Sequence, residues 1–233
     1  MSEHLTTRSK VFMGDFVQIL TNFDEVDGVL EVNMVEHTEF EDKPTTMPYM
    51  PAKIQDTEIK LGQRVMVVAP KAFNRIEHIA KSCQELGDNV HKIVLLLDET
   101  ETAKNYLKQY AATVGLIPTF AEIRHQIVGC LHTLLSSKYN AQKGKHVVVF
   151  IDNLSKLSRL YNKSNPQEGG SIDLSQLWPD ALIDVKDFYL SARAFENSGS
   201  LTFVMYANTP DSPNDVYLFD EFGDISNVII KGE

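Results

Sequence analysis

His146-Val-Val-Val-Phe-Ile-Asp152 is the stretch on which the fold turns. Five consecutive apolar residues, three of them β-branched valines, end in a single carboxylate. Two further runs share its texture, Arg64-Val-Met-Val-Val-Ala69 and Lys92-Ile-Val-Leu-Leu-Leu-Asp98. Short, nearly unbroken apolar runs suit strands buried on both faces, as in a parallel sheet covered by helices. The intervening segments, residues 72–86, 101–114 and 121–139, are compatible with helices. Residues 153–161 predict another helix, a polar loop follows over 162–170, and residues 180–196 predict a further helix with Pro179 in its first turn. Strands are predicted over 201–207, 215–219 and 227–231. This alternation builds right-handed strand–helix–strand crossovers and predicts an α/β fold with a mostly parallel central sheet flanked by helices.

The first 60 residues read differently. They hold 5 Lys and Arg against 12 Asp and Glu, and the apolar pattern is sparse. A strand pair over 16–20 and 28–35, with a turn at 22–27, and a proline-containing linker over 39–51 are the elements expected there. The predicted organisation is therefore a short acidic segment, 1–60, followed by an α/β core, 61–233. The 233 residues carry a net charge of −10, but residues 61–169 hold 14 Lys and Arg against 9 Asp and Glu. Only this middle third offers a basic surface to a polyanion, and the acidic whole weakens RNA as a partner. No run is long and apolar enough to cross a bilayer, and the first residues lack a signal-peptide core, so a cytoplasmic protein is expected. Cys83 and Cys130 sit among apolar residues and read as reduced, buried thiols.

Ligands of open α/β sheets bind beyond the carboxyl ends of the strands. After residue 69 comes Pro70-Lys71-Ala72-Phe73-Asn74-Arg75, in the place of a phosphate-binding loop. Such a loop needs glycine for close backbone approach, a lysine for the terminal phosphates and a Ser or Thr for magnesium. The Gly-Lys-Ser/Thr ending is absent, which leaves Lys71 and Arg75 as the candidate anion contacts. After the second strand, Asp98 and Glu99 read as catalytic carboxylates, or else Asp98 or Thr100 as the cap of the next helix. Asp152 closes the third strand in the manner of a Walker B acid, which holds magnesium through water. A cap of the next helix is the plainer reading. His78, His125 and His132 lack the spacing of a metal site and suit packed helix faces, as do Tyr106 and Tyr110.

Four collinear segments then resemble transcription termination factor Rho. They are Leu61-Gly-Gln-Arg through Ala72, His146 through Asn162, Ser191-Ala-Arg-Ala through Thr202, and Asp215 through Asn227. The resemblance implies a RecA-like core of the P-loop NTPase superfamily, from a family of ring-forming, RNA-dependent ATPases. By position it implies Asp152 as the magnesium-holding acid, Glu99 as the water-activating carboxylate, Arg193 as the arginine of the Ala-Ala-Arg segment, and residues 163–175 as an RNA-facing loop. The chain departs from the family at the shortened phosphate loop, at Thr100 in place of an arginine, and in a 163–175 loop without its lysine. It also ends early relative to the family pattern. The expected function is thus a Rho-like domain with a degenerate nucleotide site and no bound cofactor, acting through a protein partner or ring self-association. The alternative is a divergent RNA-dependent ATPase that uses ATP and magnesium.

Overall fold

A computed structural model describes residues 25–26, 29–30, 50–118, 120–164, 177–195 and 199–232. The chain divides into two units, Met1–Asp42 and Lys43–Glu233. In the first, strands β1 (Glu25–Val26) and β2 (Val29–Leu30) pair antiparallel, so a strand occupies part of the stretch expected to be a turn. The strand expected over 16–20 lies outside the described residues.

The second unit is built on one sheet. Its elements, in chain order, open with β3 (Pro51–Ile54), β4 (Thr57–Lys60), β5 (Arg64–Ala69), α1 (Arg75–Glu85), β6 (Val90–Leu97) and α2 (Glu101–Leu107). They continue with β7 (Thr113–Ile117), α3 (Ile123–Gln142), β8 (His146–Asp152) and α4 (Leu154–Ser164). The last are α5 (Pro179–Leu190), β9 (Arg193–Ala194), β10 (Ser200–Asn208), α6 (Pro213–Gly223) and β11 (Val228–Lys231). The strand order is β11-β5-β10-β8-β6-β7, all parallel, with β9 antiparallel on β10.

Alternate residues of the central strands feed two separate cores. Met66, Val149 and Phe203 point to the layer formed by α3, α4, α5 and α6. Val67, Phe150 and Tyr206 point to α1, α2 and the β3–β4 hairpin. This two-sided burial is why β5, β6 and β8 show no alternation in sequence. The hairpin precedes the boundary expected at residue 60, yet its Ile54 and Ile59 are buried in the second core.

Three segments depart from the sequence expectation. The helix expected over 101–114 stops at Leu107, and its last two residues belong instead to the edge strand β7, Thr113–Ile117. The apolar, partly β-branched Thr113-Val-Gly-Leu-Ile117 pairs with β6 and outweighs continuation of the helix. The helix expected to reach 196 ends at Leu190, because Arg193–Ala194 pairs with the start of β10. Residues 215–219, expected as a strand, lie in helix α6. Ser212 is the N-cap, its side chain accepting from the Asp215 amide, and Pro213 follows at the first helical position. Cap and proline together specify a helix start strongly enough to override the local β-like composition.

Candidate functional site

Four strands end along one edge of the sheet, and their last residues bring a polar cluster together. β5 delivers the loop 70–74, β6 delivers Asp98 and Glu99, β8 ends on Asp152 and β10 on Asn208. The loop turns on itself. Phe73 N–H donates to the Pro70 carbonyl at 3.0 Å and Arg75 N–H to the Phe73 carbonyl at 2.9 Å. Asn74 caps α1 by accepting from the Glu77 amide. These amides, which a phosphate loop would aim at its ligand, are satisfied within the loop. The Phe73 ring lies 5.2 Å from that of His78, and a Cβ on Gly232 would stand only 3.0 Å from it.

Arg75 is the first residue of α1, and its guanidinium turns inward. One terminal nitrogen donates to Asn208 Oδ1 at 2.8 Å, and Nε lies 3.8 Å from Asp152 Oδ1. Asp152 is 2% exposed, and among the described residues neither Arg75 Nε nor Asp152 Oδ1 has a hydrogen-bond partner. Burial raises the Asp152 pKa above the ordinary carboxylate value, although Lys156 and Arg75 oppose that rise. The peptide bond from Asp152 to Asn153 is cis. Helix α4 is capped by Asn153, whose Oδ1 accepts from Lys156 N–H at 3.0 Å, so Asp152 is not the cap.

Glu99 sits beside this pair with its carboxylate already engaged. Lys156 Nζ lies 2.6 Å from Glu99 Oε1 and donates also to the Asp98 carbonyl at 3.2 Å. Thr100 caps α2 through the Ala103 amide at 3.1 Å. On the other flank, Asp215 accepts from Ser212 Oγ at 2.6 Å, Asn208 Nδ2 at 3.0 Å and Ser155 Oγ at 3.2 Å. Burial alone would raise the Asp215 pKa. These three bonds and Lys71, whose Nζ is 3.9 Å away, reverse that and hold it below the ordinary value. Asn208 therefore links Arg75 to Asp215, while Lys71 remains on the surface.

Of the residues singled out from the sequence, Lys71, Arg75, Glu99 and Asp152 converge on this edge. Arg193 does not. It pairs with Leu201 near the start of β10, seven residues and roughly 23 Å of strand from Asn208. The 163–175 loop lies, beyond Ser164, outside the described residues. Lys156, Asn208 and Asp215 were not singled out. Ser212-Pro213-Asn214-Asp215 is the signal that could have found Asp215, since it is a helix start on the loop after a buried strand.

No family model matches the chain. Curated relatives do match: a transcription termination factor Rho of Akkermansia muciniphila is 32% identical over 176 residues, 73% of this chain and 36% of that protein. The Rho of Haemophilus influenzae is 30% identical over 189 residues, 76% of this chain and 44% of its own length. The chain is a divergent Rho relative. It spans less than half the length of these Rho proteins. Solved structures place the Rho-like chain in the RecA-type ATPase fold. A prototypical ATPase of a type III secretion system superposes with a TM-score of 0.69 at 13% identity, covering 87% of this chain and 64% of its own. The assembled ATPase EscN of enteropathogenic E. coli gives 0.68 at 15%, covering 89% and 54%. Among the described residues, no helix of this Rho-like chain is long and apolar enough to cross a membrane.

Proposed function

We propose that this chain is a Rho-type RecA domain whose nucleotide site is closed by its own side chains, and that it serves transcription termination as a non-catalytic binding or regulatory component. One observation carries the reading: the buried Arg75 guanidinium stands beside Asp152, where a magnesium–nucleotide complex would need to place positive charge. The loop 70–74 supplies neither a glycine for close approach nor a Ser or Thr for the metal, and its Phe73 amide is spent on the Pro70 carbonyl. Lys156 likewise neutralises Glu99, the carboxylate that would orient an attacking water. The residues present do not fit magnesium and ATP. Such a domain would act by contact, through a protein partner or by joining a ring of related subunits.

Asp152 Oδ1 accepts no hydrogen bond among the described residues, which favours a second reading, a divergent RNA-dependent ATPase in which Arg75 swings away when nucleotide arrives. Calorimetric titration of ATP with magnesium into the purified chain, beside Asp152→Ala and Glu99→Gln, separates the two. The proposal expects no saturable heat up to millimolar nucleotide. Saturable binding that disappears with Asp152→Ala would establish the second reading instead.

A further inference from the structure

The opposite edge of the sheet, where β6 and β8 begin, carries a cleft of about 570 Å³. That is within the size range of small-molecule sites. It lies entirely within residues 88–146, inside the one part of the chain where basic residues outnumber acidic ones. Its lining combines three kinds of group. Lys92 and Lys145 supply positive charge against a single acid, Asp88. His91 and His146 add two imidazoles. Tyr110 adds an aromatic wall.

These groups are held in place rather than loose. Tyr110 packs at 5.3 Å against Tyr106, whose hydroxyl donates to Glu77 at 2.9 Å. Lys92 is fixed by the Gly87 and Cys83 carbonyls at 2.6 and 3.2 Å, and His146 Nδ1 is 2.9 Å from Ser200 Oγ. Lys145 is exposed and oriented by Asn140 Oδ1 at 2.8 Å, with two further ammonium protons to offer. Burial and the Lys145 charge both lower the His91 pKa, so positive potential is felt inside the cleft.

An aromatic ring and an ammonium group lining one cleft match the two halves of a nucleotide, because every base has a face to stack and every phosphate a charge to pair. We propose that this cleft binds a nucleotide unit, with Lys145 on the phosphate and Tyr110 against the base. The site lies on the other side of the sheet from Asp152, and its occupancy does not depend on the state of the phosphate loop. Either a free mononucleotide or one unit of a single strand would present this chemistry.

The test follows the His91 and His146 ring protons by NMR during titration with uridine monophosphate and, separately, with a short oligouridylate. Both signals should shift saturably while His125 stays still. Lys145→Glu should weaken binding about tenfold, whereas Lys231→Glu, at the exposed end of β11 on the far edge, should leave it unchanged. Saturation by the mononucleotide identifies a small-ligand site, and saturation by the oligomer alone identifies a strand site. The proposal is overturned if neither ligand moves the two signals, if inorganic phosphate moves them equally well, or if an oligoaspartate competes with equal strength.

Discussion

Arg75 and Asp152 face each other at 3.8 Å across the carboxyl edge of the sheet, both almost wholly withdrawn from water. An ion pair in that setting is costly to break from one side, because the remaining charge has nowhere to go. Arg75→Gln should therefore lower unfolding free energy by about 3 kcal/mol, measured by urea denaturation. Arg75→Gln combined with Asp152→Asn should recover most of that loss. If the double substitution is as unstable as the sum of the two single ones, the residues do not act as a pair.

The His78 imidazole gives the molecule a pH dependence of known sign. Its Nδ1 lies 2.7 Å from the buried Tyr206 hydroxyl, and burial, helped by Lys81, lowers its pKa from 6.5 to about 4. The unfolded chain thus binds a proton more readily between these values. The stability this site contributes is present above pH 6.5 and drains away as pH falls toward 4. Between pH 7 and pH 5 the loss should be about 2 kcal/mol. His91 and His132 are also lowered by burial and add in the same direction, whereas the raised Asp152 pKa opposes them. The diagnostic quantity is therefore the difference between the parent and His78→Gln, whose curve should be flatter over the same range.

Ser212 both caps α6 and donates to the Asp215 carboxylate. Ser212→Ala should cost about 1–2 kcal/mol in thermal or urea unfolding. Ser212→Thr should retain most of the stability. An equal loss from both would mean that the hydroxyl is not the group that matters.

Gly199 is a position at which only glycine fits. A Cβ there would fall 1.8 Å from the Lys145 carbonyl oxygen, a backbone atom that cannot step aside. Gly199→Ala should destabilise the fold by roughly 3 kcal/mol or more, detectable as a large drop in melting temperature. Gly144→Ala, where no heavy atom stands within 4 Å but φ is +93°, should cost less, on the order of 1 kcal/mol.

The strands β5, β6, β8 and β10 were legible because burial on both faces leaves no room for polar residues. The same logic placed Asp152 and Glu99 at strand ends. The edge strand β7 was not legible, since Thr113 is exposed and Gly115 half-buried, and nothing in its local composition excludes a helical tail. Residues 215–219 misled for a different reason. Val216, Tyr217 and Phe219 favour strands locally, but Ser212 and Pro213 had already committed the chain to a helix. At the site, Arg75 could be listed among cations but its inward turn could not be foreseen. That turn depends on Asn208, which is 133 residues away.

The placement of β5 has a consequence for how the molecule acquires its shape. The strand is flanked by β10 and β11, whose partners lie between 139 and 163 residues further along the chain, from Phe203↔Arg64 to Val228↔Val65. Neither hydrogen-bonded neighbour exists until nearly all of these residues have left the ribosome. The nascent chain must carry Val65-Met-Val-Val68 without a partner while β6, β7 and β8 assemble. Closing such distant pairings is slow, and an apolar strand waiting with open edges is prone to join another chain. Synthesis rate and chaperone supply should accordingly govern the yield of this protein more than its final stability does.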